Sequence, residues 1–484
     1  MFPTLSRRRF FGLGSSAALL AGVSFTPAGA RSAGAQSLPT GLLKDTENLP
    51  DSLNNAFVFT NLMMDAYATG LTVRLAQSYS DQALGATAFT YDNAVLIHAY
   101  LASEDPDNLP RAETLGRGLL YAQANNFPVA DGRFAQAYFV NVANPDGSGA
   151  FITPAAYPFY FYTSAVGDQA WAGMALAQLF KRTGDHQYLM GAVKVANWIV
   201  TNAYSDTGAG GYSFGTNINP QNMSVPSTNG KSTEHNIDTF AFFTMLSTLS
   251  NEKAVNGSTW KSLANHALQF LRKVYNEAGP YFYTGTTSDG VTIATTPIPE
   301  DCQTWSYMAL LHSGIDLPGH KKTIDWAIDN LSVTDTPPAS GTSLTKQKQV
   351  HGLTFDTASL TTTSADPHAV WFEGTSHTAA ALIARVLNGD LGGAFARLAN
   401  DVQRTLRLLN DCVHGQKILG AGQTVNGKTI PAGLGLVAAS SVLDTGFGYT
   451  YGPSLHIGAT GWFLIAGHAG NPFQLGYRPA SFTL

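Results

Sequence analysis

The stretch at residues 91–102, YDNAVLIHAYLA, decides the fold, because segments of the same character return five times further along the chain. They are DQAWAGMALAQLF from Asp168, EHNIDTFAFFTML from Glu234, QTWSYMALL from Gln303, EGTSHTAAALIARVL from Glu373 and HIGATGWFLIAG from His456. Each begins just after a polar or acidic cluster, and the starts lie about 65 to 85 residues apart, a spacing typical of a repeated supersecondary unit. Ala, Gly and aromatic residues dominate all six segments, which predicts buried helices.

A second, more amphipathic segment follows each of the first five buried helices after a short link. These segments are RAETLGRGLLYAQ, QYLMGAVKVANWIV, TWKSLANHALQFLRKVY, KKTIDWAIDNL and FARLANDVQRTLRLL. One further segment, NAFVFTNLMMDAYATGLTVRLAQ from Asn55, precedes the first buried helix. The one-sided apolar pattern predicts outer helices. Six buried and six outer helices in alternation predict an all-α (α/α)6 toroid.

The connections between these helices give the barrel a direction. Links from buried to outer helices are short, whereas links from outer to buried helices are long and carry the strand-like strings GGYSFG, GPYFYTG, GLTFDT and GFGYTYG. Because all inner helices run the same way, their N-termini and the long links meet at one end of the barrel. Long ordered loops usually carry function. We therefore expect small β-hairpins and the functional site at that end.

Composition excludes several classes of protein. The chain has 484 residues, of which 44% are hydrophobic, and a formal net charge of −5. It can bury a large core, and it lacks the basic excess that nucleic-acid binding requires. The two cysteines, Cys302 and Cys412, cannot form a disulfide scaffold, and whether they form a single bridge stays open. Residues 36–484 are expected to form one barrel domain.

Residues 1–35 have the pattern of a cleaved export signal. SRRRFF at residues 6–11 precedes an apolar stretch of about 14 residues, which is too short for a bilayer because a spanning helix needs about 20. The small-residue triplet AGA follows at residues 28–30 and again at 33–35. The arginines resemble the twin-arginine pattern of precursors that are exported already folded. We expect a bacterial protein that is secreted or periplasmic, with no membrane anchor after cleavage.

Carboxylates stand at five of the six inner-helix starts. Helix capping explains any single one of them, but not why the same starts carry Trp, Tyr and His. Acids beside aromatic rings suit carbohydrate, whose apolar ring faces stack and whose hydroxyls bind carboxylates. Glu373 is expected to be the general acid, because Trp371 and Phe372 would desolvate it. The second choice is Glu234, and the candidates for the base are Asp92, Asp168 and Asp301.

The other candidates are substrate-binding side chains. Those expected to stack on sugar rings are Tyr91, Tyr162, Trp171, Trp305, Trp371 and Tyr451. Those expected to bind sugar hydroxyls are His235, Asn236, Asp238, Gln303, His377 and His456. The alternative for the aromatic residues is barrel core, and for the histidines it is a structural hydrogen bond. No metal or other cofactor is expected, because the histidines are scattered and the acidic turns at Asp146 and Asp289 lack calcium-ligand spacing.

Six strings resemble secreted bacterial proteins of the six-hairpin glycosidase-like superfamily. They are FTYDNAVLIHAYLA, GDQAWAGMALAQLF, KSTEHNIDTFAFF, DCQTWSYMALL, WFEGTSHTAAAL and YGPSLHIGATGWFLIAG. The resemblance covers residues 55–473 and implies the toroid and carbohydrate processing. That superfamily includes inverting glycoside hydrolases, unsaturated-uronyl hydrolases, sugar epimerases and, in related toroids, polysaccharide lyases, so the resemblance does not choose the reaction. Its epimerases usually rely on histidines and are cytosolic, and the export signal counts against that branch.

The expected function is a secreted glycoside hydrolase that cleaves a neutral, glucan-like poly- or oligosaccharide, with inversion, by carboxylate general acid and base catalysis. One alternative is a polysaccharide lyase acting on a uronate-containing glycan, a substrate that the acidic barrel mouth would repel. Another alternative is a non-catalytic glycan-binding protein. The sugar, its linkage, endo or exo action, the stereochemical outcome and the oligomeric state stay open at this point.

Overall fold

The computed structural model describes residues 49–67, 73–103, 105–126, 129–140, 163–216, 228–311, 313–315, 317–337, 349–390 and 395–476. Within them the chain forms twelve α-helices that alternate between two layers. The inner helices are α2 (Thr90–Ala102), α4 (Val166–Thr183), α6 (Thr233–Leu249), α8 (Asp301–Leu310), α10 (Phe372–Leu387) and α12 (Ile457–Gly467). The outer helices are α1 (Leu49–Asp65), α3 (Asn108–Ala124), α5 (His186–Ala203), α7 (Trp260–Val274), α9 (Thr323–Leu331) and α11 (Phe395–Ile418).

The six inner helices form a closed ring. Each packs against the next inner helix along the chain, and α12 returns to pack against α2. Each of the first five inner helices also packs against the outer helix that follows it, while α1 covers α12. The predicted (α/α)6 toroid is therefore confirmed, and the inner helices begin within about two residues of the predicted starts.

Burial follows the division into layers. Every residue of α8 and α12 is buried. The outer helix α7 instead buries a stripe with three- and four-residue spacing, formed by Trp260, Leu263, Ala264, Ala267, Leu268, Leu271 and Val274. The expected course of α1 is wrong, because the helix begins at Leu49 and ends at Asp65 rather than continuing to residue 77. The backbone of Ala76 is bound by the side chain of Asn93, which removes it from any helix.

Short antiparallel strand pairs lie in the described connections that lead from outer to inner helices, as predicted. The pairs are β1 (Thr87–Phe89) with β2 (Ala137–Phe139), β3 (Ser164–Ala165) with β4 (Gly215–Thr216), β5 (Tyr275–Asn276) with β6 (Tyr281–Phe282), β7 (Gly285–Thr286) with β8 (Ile293–Ala294), β9 (Ser332–Asp335) with β10 (Val350–Leu353), β11 (Thr424–Val425) with β12 (Lys428–Thr429), and β13 (Leu443–Asp444) with β14 (Thr450–Tyr451). Single bridges, such as Pro299 with Asp356, join neighbouring connections.

One polar side chain clamps the start of each inner helix to the connection before it. Asn236 shows the pattern: its Oδ1 accepts from the N–H of Tyr212 (2.8 Å), and its Nδ2 donates to the carbonyls of Tyr212 (3.0 Å) and Ser232 (2.8 Å). In α10 and α12 a threonine hydroxyl takes the place of the amide and accepts one hydrogen bond from a backbone N–H of the connection. The six clamps are Asn93 on Ala76, Gln169 on Phe134, Asn236 on Tyr212, Gln303 on Phe282, Thr375 on Leu353 and Thr460 on Leu436. These clamps mark equivalent positions in the six repeats.

The layer two residues after each clamp closes the barrel lumen. Its members are Val95, Trp171, Asp238, Trp305, His377 and Trp462. The ring centroids of Trp171, Trp305 and Trp462 lie 5.1 to 5.7 Å from one another. Their helices are not neighbours in the ring, so these side chains can meet only at the barrel axis. Phe473, after α12, packs against all three at 5.3 to 6.3 Å.

Candidate active site

A second layer, called here the acid layer, lies next to the layer that contains the three axial tryptophans, on the side of the inner-helix N-termini. Two residues before each clamp stand Tyr91, Gly167, Glu234, Asp301, Glu373 and Gly458. Three consecutive inner helices, α6, α8 and α10, thus carry a carboxyl group at the same position of their first turn. A helix N-terminus stabilises a carboxylate through its unpaired amides and its dipole. The fold therefore collects negative charge at one side of the barrel mouth.

A cavity of about 630 Å³ lies at this end of the barrel, a size typical of ligand sites. Glu234 and Asp301 are the acids among its described lining residues. Both are largely withdrawn from solvent, with exposed fractions of 7% and 1%. An aromatic part of the lining is formed by Phe214, Phe355, Phe447 and Tyr449. A hydroxyl- and amide-bearing part is formed by Thr228, Asn229, Ser232, Thr284, Thr286, Ser288 and Thr296.

Glu234 is positioned by the start of α6. The hydroxyl of Ser232 caps this helix by accepting from the N–H of His235 (3.3 Å). His235 Nε2 lies 4.0 Å from Glu234 Oε1, and its ring packs on Phe214 at 4.5 Å between centroids. A Cβ on Gly167 would come within 2.6 Å of the His235 ring, so only glycine allows α4 to approach this side chain. His235 is therefore fixed beside the Glu234 carboxylate.

Asp301 lies beside two buried carboxyl groups. Thr378 Oγ1 donates to Glu300 Oε1 (2.6 Å), and His377 Nδ1 lies 2.9 Å from Glu300 Oε2, which ties the start of α8 to α10. Burial, with a contribution from the charge of Asp301, raises the pKa of Glu300 well above its usual value. Burial also raises the pKa of Asp356 to about 7. Asp301 therefore borders carboxyl groups that resist ionisation.

The cation in the described cavity lining is already engaged. Lys231 is 3% exposed, and its Nζ donates to the carbonyl oxygen of Thr207 (2.5 Å). Burial lowers the pKa of Lys231. Because the ammonium group is held against the backbone outside the acid layer, it is poorly placed to receive an anionic substrate.

The expectation that Glu373 is the general acid is not supported by its location. The side chain is wholly buried and does not line the cavity. Its Oε1 accepts from the hydroxyl of Tyr91 (3.1 Å), and that hydroxyl accepts from Trp462 Nε1 (2.9 Å). The desolvation predicted from Trp371 and Phe372 is present. It arises, however, because the carboxyl group is enclosed beside Tyr91 and the aromatic side chains at the barrel axis, which include Trp462. A substrate in the cavity therefore has no direct contact with this carboxyl group.

Two of the three candidate bases also lie away from the cavity lining. Asp92 is buried, with His456 Nε2 3.2 Å from its Oδ2, and the His456 ring stacks on Tyr79 at 3.6 Å. This pair joins α2 to the residue before α12 and so helps to close the ring. Asp168 is 2% exposed and is absent from the described lining. Asp301 is the candidate base that the structure brings into the cavity.

Most of the expected sugar-binding residues have structural roles. Asn236 and Gln303 are clamps, so their amide groups are occupied by backbone. Four of them pack against one another around the barrel axis: Tyr91, Trp171, Trp305 and His377. Trp371 and Tyr451 stack on each other with their centroids 6.4 Å apart, next to Phe355. Asp238 and His235 lie where Gly167 approaches α6. These side chains thus have structural partners within the barrel, and their direct contact with sugar stays a prediction; Tyr162 lies outside the described residues.

The aromatic lining was missed as a site, although the sequence contains a signal for it. Phe214 lies in GGYSFG, Phe355 in GLTFDT, and Phe447 and Tyr449 in GFGYTYG. These strings predict strands, yet the feature that marks the site is an aromatic residue within three residues of a glycine in a long connection. Glycine lets the backbone turn, so that an aromatic ring in such a connection can face the cavity.

The remaining candidates concern metal binding, disulfide bonding and membrane insertion. Within it, no cluster of three or more His, Cys, Asp or Glu side chains is arranged to hold a metal ion. The Asp289 carboxylate accepts from Thr287, Val291 and Thr292 and so fixes a hairpin turn, while Asp146 lies outside the described residues. Cys302 and Cys412 are both buried, and neither forms a disulfide bond within the described residues. None of the helices described here is long and apolar enough to cross a bilayer.

Comparison with known proteins shows the fold. No protein-family model and no curated protein sequence matches this chain. A family 76 glycoside hydrolase from a bovine Bacteroides thetaiotaomicron strain has a similar structure, with a TM-score of 0.54 at 12% identity, over 88% of this chain and 78% of that one. Cellobiose 2-epimerase from Spirochaeta thermophila gives 0.54 at 12% identity, over 90% and 99% of the two chains. A D-mannose isomerase gives 0.54 at 11%, also over 90% and 99%. At 11 to 12% identity these similarities confirm the toroid fold that the resemblance implies.

Proposed function

We propose that this chain is a glycoside hydrolase that cleaves a neutral poly- or oligosaccharide. The observation that carries the proposal is the placement of Glu234 and Asp301 at equivalent positions of two neighbouring inner helices, on the wall of one cavity. Glycoside hydrolysis uses two carboxyl groups, one to protonate the leaving oxygen and one to activate water or attack the anomeric carbon. In this pair Glu234, the second choice for the general acid, takes the place of Glu373, and Asp301 is one of the three expected candidates for the base.

The cavity lining supports carbohydrate as the substrate. Aromatic rings stack on the apolar face of a pyranose, and hydroxyl and amide groups bind its edge. Both kinds of group line this cavity beside the acids. The names of the structurally similar proteins, a family 76 glycoside hydrolase, a cellobiose 2-epimerase and a D-mannose isomerase, also refer to sugar chemistry. Neutral sugars are favoured because the site is acidic and Lys231 is engaged by backbone.

A lyase receives less support from the same contacts. Abstraction of the proton next to a uronate carboxyl requires a positive group that stabilises the developing charge. The lining cation, Lys231, donates to Thr207, and the acids Glu234 and Asp301 would repel a uronate. The geometry thus favours hydrolysis over elimination.

We also propose that residues 1–35 direct export by the twin-arginine route and that residues 36–484 form the mature enzyme. The SRRRFF pattern and the short apolar stretch support this proposal. Changing Arg7 and Arg8 together to lysine should leave the precursor in the cytoplasm, and N-terminal sequencing of the exported wild type should find a start close to residue 36. Normal export of the double variant would contradict the proposal.

The experiment that tests the reaction is a polysaccharide panel offered to the purified mature chain, with three products measured in parallel. Hydrolysis is expected to release new reducing ends from at least one neutral glycan. Unsaturated uronates, detected by their ultraviolet absorbance, would instead identify a lyase. Epimerised or isomerised sugars without new reducing ends would identify sugar isomerisation. Binding of a glycan with none of these products would identify a non-catalytic binding protein and contradict the proposal.

A further inference from the structure

The hairpin β13–β14 carries an aromatic ring at its tip that the fold does not bury. Phe447 is 39% exposed. Among the described residues, the exposed large aromatic side chains are Phe447 and Tyr204, and the two have the same exposed fraction. Phe447 lines the cavity that contains Glu234 and Asp301, whereas Tyr204 does not. Single exposed apolar side chains are common on proteins, and what distinguishes Phe447 is that its exposed ring borders the cavity that holds the acids.

The tip is held in one conformation by its own polar groups. The N–H and the hydroxyl of Thr445 both donate to the carbonyl of Tyr449, at 3.2 and 2.8 Å. The carboxylate of Asp444 accepts from the N–H of Gly446 (3.0 Å) and from the hydroxyl of Thr362 (2.9 Å). Gly446 and Gly448 have φ values of 68° and 83°, which glycine adopts without strain. A fixed loop presents a ring at little entropic cost on binding.

The ring is supported from within the barrel. Phe355, which is buried and also lines the cavity, packs edge-on against Phe447 with the centroids 6.2 Å apart and the planes at 81°. Tyr449 packs edge-on against Tyr451 at 5.5 Å. These contacts fix the orientation of the tip relative to the acids. They leave part of the Phe447 side chain open to solvent.

We propose that this hairpin tip, residues 445–449, is a stacking platform for a neutral pyranose unit one position beyond the two units that the cleaved bond joins. The inference rests on the proposed function and adds a subsite to it. A flat ring binds the apolar face of a sugar, and no cationic side chain lies in the tip to select an anionic one. A platform at this position gains contact only from a substrate longer than the two units that the cleaved bond joins. The chain should therefore prefer oligosaccharides over disaccharides.

The test compares Phe447→Ala, Phe447→Leu and Phe447→Trp, with Tyr204→Ala as the control of equal exposure. The probes are neutral gluco- and manno-oligosaccharides of two to six sugars, and the measurements are KM, kcat and the calorimetric dissociation constant. The Ala and Leu variants should raise KM and the dissociation constant for long substrates about fivefold to tenfold, which is the usual size of an aromatic contact. Their kcat should stay within about twofold, and disaccharide kinetics should hardly change. Phe447→Trp should keep wild-type affinity, because it retains a ring face, and Tyr204→Ala should behave as wild type.

Two results would overturn the platform, and they are distinguishable from failure of the proposed function. Wild-type affinity in Phe447→Leu would show that the ring face is not used, and an equal loss for disaccharides would place Phe447 elsewhere in the site. In either case turnover by the wild type would leave the hydrolase intact. If the wild type turns over nothing but binds oligosaccharides through Phe447, the hydrolase fails and the platform stands. If no probe binds the wild type, both fail.

Discussion

Replacing Asp356 with asparagine should flatten the pH dependence of stability. Asp356 is buried next to Asp301, and its pKa is raised from 3.8 to about 7. A carboxyl with a raised pKa stabilises the fold while it is protonated, and this contribution is lost as the pH rises through 7. Since one pKa unit corresponds to about 1.4 kcal/mol, raising the pH from 5 to 8 should remove about 3 kcal/mol of the free energy of unfolding through this group.

The asparagine variant keeps the contacts that hold the side chain. Asp356 Oδ1 accepts from the N–H groups of Ala358 and Ser359, both at 2.8 Å, and an amide oxygen can replace it. The assay is urea unfolding at pH 5 and pH 8, followed by tryptophan fluorescence. The free energy of the wild type should fall about 3 kcal/mol more than that of Asp356→Asn. Other buried acids with raised pKa values, such as Glu300 and Asp411, are present in both proteins. Their contributions to the pH dependence of stability therefore cancel in the comparison. Equal falls in the two proteins, at equal m-values, would refute the reasoning.

Three further substitutions test the packing that positions the site. Phe473→Ala should lower the free energy of unfolding by about 3 to 5 kcal/mol, because it removes a ring from the axial tryptophans; a loss below about 1 kcal/mol in urea unfolding would contradict a packed lumen. Gly173→Ala should lower the free energy of unfolding by about 1 to 3 kcal/mol, because its Cβ would lie 2.2 Å from the Phe242 ring. The control Gly452→Ala, whose Cβ meets nothing within 4 Å, should be neutral, and equal thermal midpoints for the two variants would contradict the close approach of α4 and α6. Glu300→Ala should cost about 1 to 3 kcal/mol by removing the acceptor of the Thr378 hydroxyl and the side chain beside His377, and Glu300→Gln should recover much of that stability. Similar losses in both variants would indicate that the hydrogen bond from Thr378 is not what matters.

The helical plan was predictable because it depends on a repeated, averaged property. Six apolar segments at regular spacing define six inner helices, and a single misjudged residue does not change that pattern. The end of α1 at Asp65 was missed, and the chain at Ala76 is held instead by a long-range contact between Asn93 and the Ala76 backbone. That contact follows from the barrel closing, and no local propensity announces it.

The site residues were predictable as a group but not one by one. Glu234, Asp301 and Glu373 are equivalent in the repeat, yet only the first two line the cavity, because Tyr91 and Trp462 enclose the third. Asn236 and Gln303 look like sugar ligands from their position at the helix starts. Their true role becomes visible when Asn93 and Gln169 are aligned with them, since four amides in register point to a shared structural contact.

The central claim is that Glu234 and Asp301 perform the chemistry in one cavity. The most direct measurement is turnover of the cleaved glycan by Glu234→Gln and Asp301→Asn, with Glu252→Gln, a substitution of an exposed acid away from the cavity, as the control. Each cavity variant should lose about a hundredfold to ten-thousandfold in kcat while binding the glycan as well as the wild type, and the control should keep full activity. A folded Glu234→Gln or Asp301→Asn protein that retains more than about a tenth of wild-type kcat would contradict the assignment.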